Sequence, residues 1–323
     1  MYRIGIDLGG TNIAVGIVND EHKIVVKKTT PTLAKRPPEE IVADMARVCL
    51  EACAELKIDI KDVANIGIAS PGIANPVNGC VEYANNLPFL RFPIVQLLSD
   101  GLGIDRSVIK IANDANAAAW GEAVAGAAKG SANSIMVTLG TGVGGGIIIN
   151  NKILVGFNSA AGEIGHIVIE QDGAPCGCGR RGCWEAYSSA TALTNMTKEK
   201  MDELRLKGIP SLLFEEAEKE GKVSARTSFN AMKRGDKYGQ RLVDDYIAYL
   251  AVGITNMINI FQPEILCIGG GVCNEKENLT RPLIELVERC QYTRNNSQQT
   301  KIVTAALGND AGIIGAAGLG KQF

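Results

Sequence analysis

Three cysteines, Cys176, Cys178 and Cys183, lie within the stretch DGAPCGCGRRGCWEA, residues 172–186, and His166 lies ten positions before the first of them. One imidazole nitrogen and three sulfurs make a Cys3His set. Such a set suits tetrahedral Zn2+ with no position left open, a structural rather than a catalytic metal. The spacing is not that of a C-x2-C knuckle, but Gly177, Gly179 and Gly182 supply the backbone freedom a tight metal loop needs. A redox C-x-C pair is the competing reading, and unligated thiols a third. Glu163 stands three residues before His166, and Glu185 two after Cys183. Carboxylates accept hydroxyl protons and imidazole can donate or accept, so this trio can grip a polyol.

A second chemistry is carried by glycines. GTGVGG, from Gly140 to Gly145, fits G-x-G-x-x-G, with Glu163 about where a dinucleotide site wants its acid. That motif needs a helix after the glycines, whereas GGIIINNKILVG is β-rich, so the nicotinamide reading fails. No G-x-x-x-x-G-K-[ST] loop occurs. Turns between strands can still hold phosphate with backbone N–H groups and Thr hydroxyls. DLGGTN offers Gly9, Gly10, Thr11 and Asn12 in this way, and LGTGVG offers Thr141 and Gly142. Asp7, at the end of its strand, would approach Mg2+ through water. Gly269, Gly270 and Gly271 would let backbone come close to a nucleotide.

The third candidate is Asn113-Asp114, at the end of VIKIAND and the start of an alanine-rich helix. Asp is a strong N-cap, and Asn116 could serve almost as well. A carboxylate at the carboxyl end of a sheet strand is also where α/β proteins bind ligands. There it can take a proton from a hydroxyl that attacks phosphorus.

The elements that must position these groups repeat. Residues 2–28 and 134–156 each read as strand, glycine turn, strand, Asn-containing turn and strand. In the first copy, PPEEIVADMARVCLEACAEL is helical, with Ile41, Met45, Val48, Cys49 and Leu56 near one face, and VANIGIAS is a buried strand. A long helix is expected from about Asp236 to Phe261, and a final helix in NDAGIIGAAGLG. Residues 197–235 are charged and helical. The architecture is a duplicated α/β fold.

The chain has 323 residues, 46% hydrophobic, 21% charged, with a formal net charge of −2. That supports a sizeable core and either two domains or one large one, and it offers no broad electrostatic footprint for nucleic acid. No targeting segment and no bilayer-spanning run is visible. Nine cysteines without a signal peptide indicate a reducing, cytoplasmic setting, where clustered cysteines point to metal or redox chemistry. The cysteines at 49, 53, 80, 267, 273 and 290 lie in apolar stretches, and most read as core residues.

The stretches GIDLGGTNIAVGIV, IGIASPGIANPVNGCVEYANNLPF, IANDANAAAWGE, MVTLGTGVGGGIIINNKILVGFNSAAGEIGHIVI, PCGCGRRGCWEAYSSATAL and PEILCIGGGV resemble the ROK family (repressors, open reading frames, kinases) over almost the whole chain. The histidine with C-x-C-G-x-x-G-C-x-E is its specific mark; the glycine loops are shared with the wider actin and hexokinase group. The resemblance implies a duplicated actin/hexokinase-like (ribonuclease H-like) fold. It would have a small domain of residues 1–112 plus about 306–323, a large domain of 113–305 carrying the zinc loop, and a cleft between them. It implies ATP-dependent phosphorylation of a hexose, glucose to glucose 6-phosphate first of all. N-acetylmannosamine, fructose or mannose are alternatives within the class, and a non-catalytic sugar-binding regulator is the alternative outside it. Carried over by motif, Asp114 is the general base and Asn113 a sugar ligand. Gly72 and Asn86 line the sugar pocket, and Glu163, His166 and Glu185 hold hydroxyls at its far end. Asp7, Gly9, Gly10, Thr11, Thr141 and Gly142 belong to the phosphate loops. Zinc would be structural, shaping the sugar site through His166 and Glu185 without touching phosphate chemistry. A homodimer or homotetramer is implied, with hexose and Mg-ATP as partners and neither nucleic acid nor membrane.

Overall fold

Ile4, Ile6 and Leu8 alternate with polar or small residues, as do Ile13, Val15 and Ile17 across the glycine turn, and all six are fully buried. This period of two makes β1 (Arg3–Leu8) and β2 (Asn12–Val18) a hairpin with one face in the core. β3 (Ile24–Pro31) extends the hairpin on one side. β4 (Ile66–Ser70) lies parallel to β1 on the other, followed by β8 (Ile109–Asn113), giving the order β3-β2-β1-β4-β8. β5 (Ile73–Asn75), β6 (Cys80–Tyr83) and β7 (Leu90–Phe92) form a small antiparallel sheet. The second large sheet is built from β9 (Ser134–Leu139), β10 (Val143–Ile149), β11 (Lys152–Ile153), β12 (Ile265–Gly269) and β13 (Lys301–Thr304), in the order β11-β10-β9-β12-β13. Third, second, first, fourth, fifth: both large sheets have one topology, so the duplication read from the sequence is a duplication of fold.

The computed structural model describes all residues from 1 to 323. Contacts divide the chain into one unit of residues 1–136, 146–162 and 305–323, and a second of 137–145 and 163–304. The expected break after residue 112 therefore falls inside the first unit. The reason is local. The helix Ala311–Ala317 packs with its backbone directly on its neighbours. A Cβ at Gly67 of β4 would lie 1.7 Å from the Ala316 carbonyl oxygen, and one at Gly315 would lie 1.7 Å from that of Ala117. Ala117 belongs to the helix Asp114–Ala125, which this contact fastens to the first unit. Glu122 of that helix is fully buried, and its carboxylate accepts N–H groups from Ala127, Ala306 and Leu307.

In the second unit the helix Lys237–Phe261 is capped by Asp236, as its sequence suggests. The charged stretch resolves into the helices Ala190–Leu206, Leu212–Lys219 and Ala225–Lys233. Cys49, Cys53 and Cys267 are core residues. Cys80, at the start of β6, and Cys273, in the short turn Gly271–Glu275, are only half-buried, and Cys290, at the end of the helix Glu277–Cys290, is exposed. No helix is long and apolar enough to cross a membrane.

Gly67→Ala tests the backbone contact. The added methyl has no free space, so the variant should lose about 3 kcal/mol of unfolding free energy, at the upper end of overpacking. A denaturant melt within about 0.5 kcal/mol of the parent, the range of surface changes, would contradict it.

Candidate functional site

The first unit gathers one group of predicted residues at the carboxyl ends of β1, β4 and β8. Gly9, Gly10 and Thr11 make the β1–β2 turn, closed by the Gly9 N–H donating to the Asn12 oxygen at 2.9 Å. Gly10, Thr11 and Asn12 are exposed at its tip. Thr32 supports the turn from below, its hydroxyl donating to the Gly9 oxygen at 2.6 Å. Asn86 stands beside Gly10, its Cβ 3.5 Å from where a Gly10 side chain would begin. Asn85 is turned to other work, its Oδ1 accepting from the Tyr83 hydroxyl at 2.6 Å.

Asn113, not Asp114 or Asn116, caps the alanine-rich helix. Its Oδ1 accepts from the N–H groups of Ala115 (2.9 Å) and Asn116 (3.2 Å). Its backbone is extended, as a cap requires. Its Nδ2 donates to the Gly72 oxygen at 3.0 Å, tying the helix start to the turn after β4. Gly72 has φ of +85°, and a side chain there would strike the Tyr83 oxygen. With Asn113 capping, the Asp114 carboxylate is released from that duty, though its Oδ1 accepts the Ala115 N–H at 2.8 Å.

Asp7 carries a perturbed carboxyl. Burial, then the Asp114 charge, raise it from the ordinary 3.8 to about 6, against the lowering pull of Lys27. Gly312 closes over it, for a Cβ there would come within 3.0 Å of the carboxylate.

The second unit holds the other group. Gly140, Thr141 and Gly142 turn between β9 and β10, with the Gly140 N–H donating to the Gly142 oxygen at 3.0 Å. Gly269 is the buried last residue of β12. Gly270, at φ +93°, lies on the end of β9, where a Cβ would be 2.3 Å from the Leu139 oxygen. Gly271 faces open space. Thr141 and Gly271 line a single cavity of about 530 Å³, completed by Thr194, Lys198, Glu220, Lys222, Arg226 and Phe229 among others. Those charged residues were missed by sequence reasoning; the only signal was the charge density of residues 197–235.

Glu163, exposed, opens the short helical turn Ile164–His166, which packs so tightly on β10 that a Cβ at Gly165 would lie 2.1 Å from the Val143 oxygen. The hairpin-like segment after it brings His166, Cys176, Cys178 and Cys183 together, their ligand atoms all within 4.8 Å of one another. The Cys178 and Cys183 sulfurs are 3.7 Å apart. Zn–S bonds of about 2.3 Å set two sulfurs of a tetrahedron about 3.8 Å apart, so the cluster fits a structural zinc. His166 turns Nδ1 to the cluster, 3.7 Å from the Cys176 sulfur. Burial pushes the Cys183 thiol up to about 12 and raises that of Cys176, while the Arg180 N–H lowers Cys178. Metal must displace these protons, so its affinity rises with pH.

The ROK family model matches residues 3–323. The chain belongs to the ROK family. The glucokinase of Thermotoga maritima is 35% identical over 99% of this chain and 97% of its own length. The solved structure of a ROK family glucokinase from Streptomyces griseus, in complex with glucose and AMPPNP, covers 100% of both chains at 31% identity and a TM-score of 0.80. The xylose repressor of Bacillus spizizenii is 28% identical over 97% of this chain, which spans 75% of the repressor. The ROK fold expected from the sequence, duplicated and actin/hexokinase-like, is the fold of this chain.

Asp7→Asn should stabilise the ligand-free protein at neutral pH. Between pH 3.8 and about 6 the folded chain holds a proton that the unfolded chain releases. Wild-type stability therefore falls as pH rises through that window, by up to about 3 kcal/mol, and the loss persists above it. The variant's advantage should be full at pH 7 and fade toward pH 4. Thermal melts across that range check it; an advantage independent of pH would refute the cause.

Proposed function

We propose that this chain is a sugar kinase that transfers the γ-phosphoryl group of ATP to a hexose, glucose giving glucose 6-phosphate. The observation that carries the reading is the second-unit cavity, where two separately predicted glycine turns, at Thr141 and Gly271, meet beside Lys198, Lys222 and Arg226. It has the size of a cofactor site. The glucokinase relatives support glucose as acceptor.

In this reading the sugar 6-hydroxyl oxygen attacks the γ-phosphorus, the bond to the β–γ bridging oxygen breaks, and ADP leaves. Asp114 takes the hydroxyl proton. Phosphoryl transfer asks mainly for positioning and charge stabilisation, and the turns at Gly9–Asn12 and Gly140–Gly142 offer N–H groups for it. Asp7 would orient hydrated Mg2+ that accompanies ATP. Asn113, Asn86 and Gly72 would meet the reacting end of the sugar, and Glu163, His166 and Glu185 the other end. His166 with Nδ1 on zinc would keep Nε2–H for a hydroxyl. The xylose repressor relative favours one second reading, a sugar-binding regulator without turnover.

ADP release with ATP across a panel of hexoses and N-acetylhexosamines separates the two. Glucose should give the highest kcat/KM, and absence of sugar-dependent ADP release would leave the regulator. Asp114→Asn should fold, bind glucose within about tenfold of the parent, and lose about 10²–10⁴ in kcat, as for a removed general base. A variant with near-parental kcat would show that Asp114 is not the base.

A further inference from the structure

Glu185 does something that its expected place at the sugar does not require. Its Oε2 accepts the backbone N–H of Val143, the residue following the Gly140–Gly142 turn, at 3.0 Å. Gly142 makes room for it, since a Cβ there would lie 2.1 Å from the same oxygen. The other oxygen, Oε1, is 3.8 Å from the Cys176 sulfur, which is itself 3.7 Å from His166 Nδ1. One carboxylate thus touches the phosphate turn with one oxygen and the Cys/His cluster with the other.

Its own backbone has little freedom. Cys183 and Trp184 on its N-terminal side are fully buried. The Trp184 indole lies on the helix Lys237–Phe261 at Gly253, where a Cβ would come within 2.0 Å of the ring. On the other side the Tyr246 hydroxyl donates to the Ser188 oxygen at 2.8 Å. The Ala190 N–H donates to the Gly140 oxygen at 2.8 Å, so the segment grips the phosphate turn at a second point. A segment fixed this firmly transmits a displacement instead of absorbing it. The cluster holds the segment's front end through Cys183, and the turn is held by its side chain and its back end.

We infer that Glu185 is a positioning residue for the phosphate turn, through which the Cys3His cluster governs nucleotide binding as well as sugar binding. This departs from the expectation that the cysteines shape the sugar site without touching phosphate chemistry. It rests on the reading of that turn as the donor site. With zinc bound, Cys176 and Cys183 are drawn to one centre, and Glu185 stands where it meets the Val143 N–H. Without it, three thiols lose their common tether and the turn loses the carboxylate's fixed placement.

The test is calorimetric titration with ADP, with no sugar present, on zinc-loaded and chelator-stripped protein. The proteins are the parent, Glu185→Ala and Glu185→Gln, with metal content measured for each. Stripping the parent should weaken ADP binding by about tenfold to a hundredfold, the range of a hydrogen bond to a charged group. Glu185→Ala should weaken it comparably while still holding zinc, and stripping that variant should add less than about threefold, because the link is already cut. Glu185→Gln keeps an acceptor for the Val143 N–H and should stay within about threefold to fivefold of the parent when loaded. Parent protein that has lost its zinc yet binds ADP within about twofold would overturn the inference. So would equal loss in Gln and Ala variants, which would mark a packing defect instead of a lost hydrogen bond. A loaded parent that binds sugar and no ADP would instead overturn the donor-site reading beneath it.

Discussion

The helix Ala311–Ala317 touches its neighbours backbone to backbone, and the first unit's chemistry depends on that contact. Glycines at 5, 67, 121 and 315 leave out Cβ atoms that would hold the surfaces apart. The same helix carries Gly312 over the Asp7 carboxylate, and its outer turn clasps the helix that begins at Asp114. Burial of Asp7 and its nearness to Asp114 are therefore two results of one packing event. A raised carboxyl is a cost to the folded state, and the fold sustains it where a hydrated divalent cation would relieve it.

The second unit solves a different problem. Its proposed phosphate turn is a short glycine run closed on itself by the Gly140 N–H on the Gly142 oxygen. Stiffness comes from outside: from Glu185, from the Ala190 N–H, and from Gly270 lying on the end of β9. The cluster of His166 and three cysteines sits at the head of that support. A structural metal held there would order the segment that orders the turn, in the proposed account.

The repeat of strand, glycine turn and strand was legible because alternation of apolar residues and glycine punctuation are local signals. Cys176, Cys178, Cys183 and His166 were legible because metal ligands are chemically scarce and the chain spends several in one place. What the sequence did not decide was which of several equivalent residues the backbone would choose. Asp114, Asn116 and Asn113 are all good caps, and only the extended conformation at Asn113 decides among them. The clasp at Gly315 and Ala117 joins residues some two hundred positions apart, so no local signal in the sequence shows it. Lys198, Lys222 and Arg226 come from a helix, a loop and another helix. No spacing rule connects them. Glu185 was singled out for the right kind of chemistry, but its bond to Val143 spans 42 positions and leaves no trace in either motif.

The most direct test of the account is the pH profile of the parent enzyme with ATP and glucose. kcat/KM for ATP reports free-enzyme groups, so it should fall with unit slope below about pH 6, where Asp7 gains its proton. kcat at saturating ATP should hold to lower pH, because the bound cation keeps the carboxylate ionised. A kcat/KM for ATP that stays flat down to about pH 5 would contradict the half-buried Asp7 as the carboxylate that serves the donor.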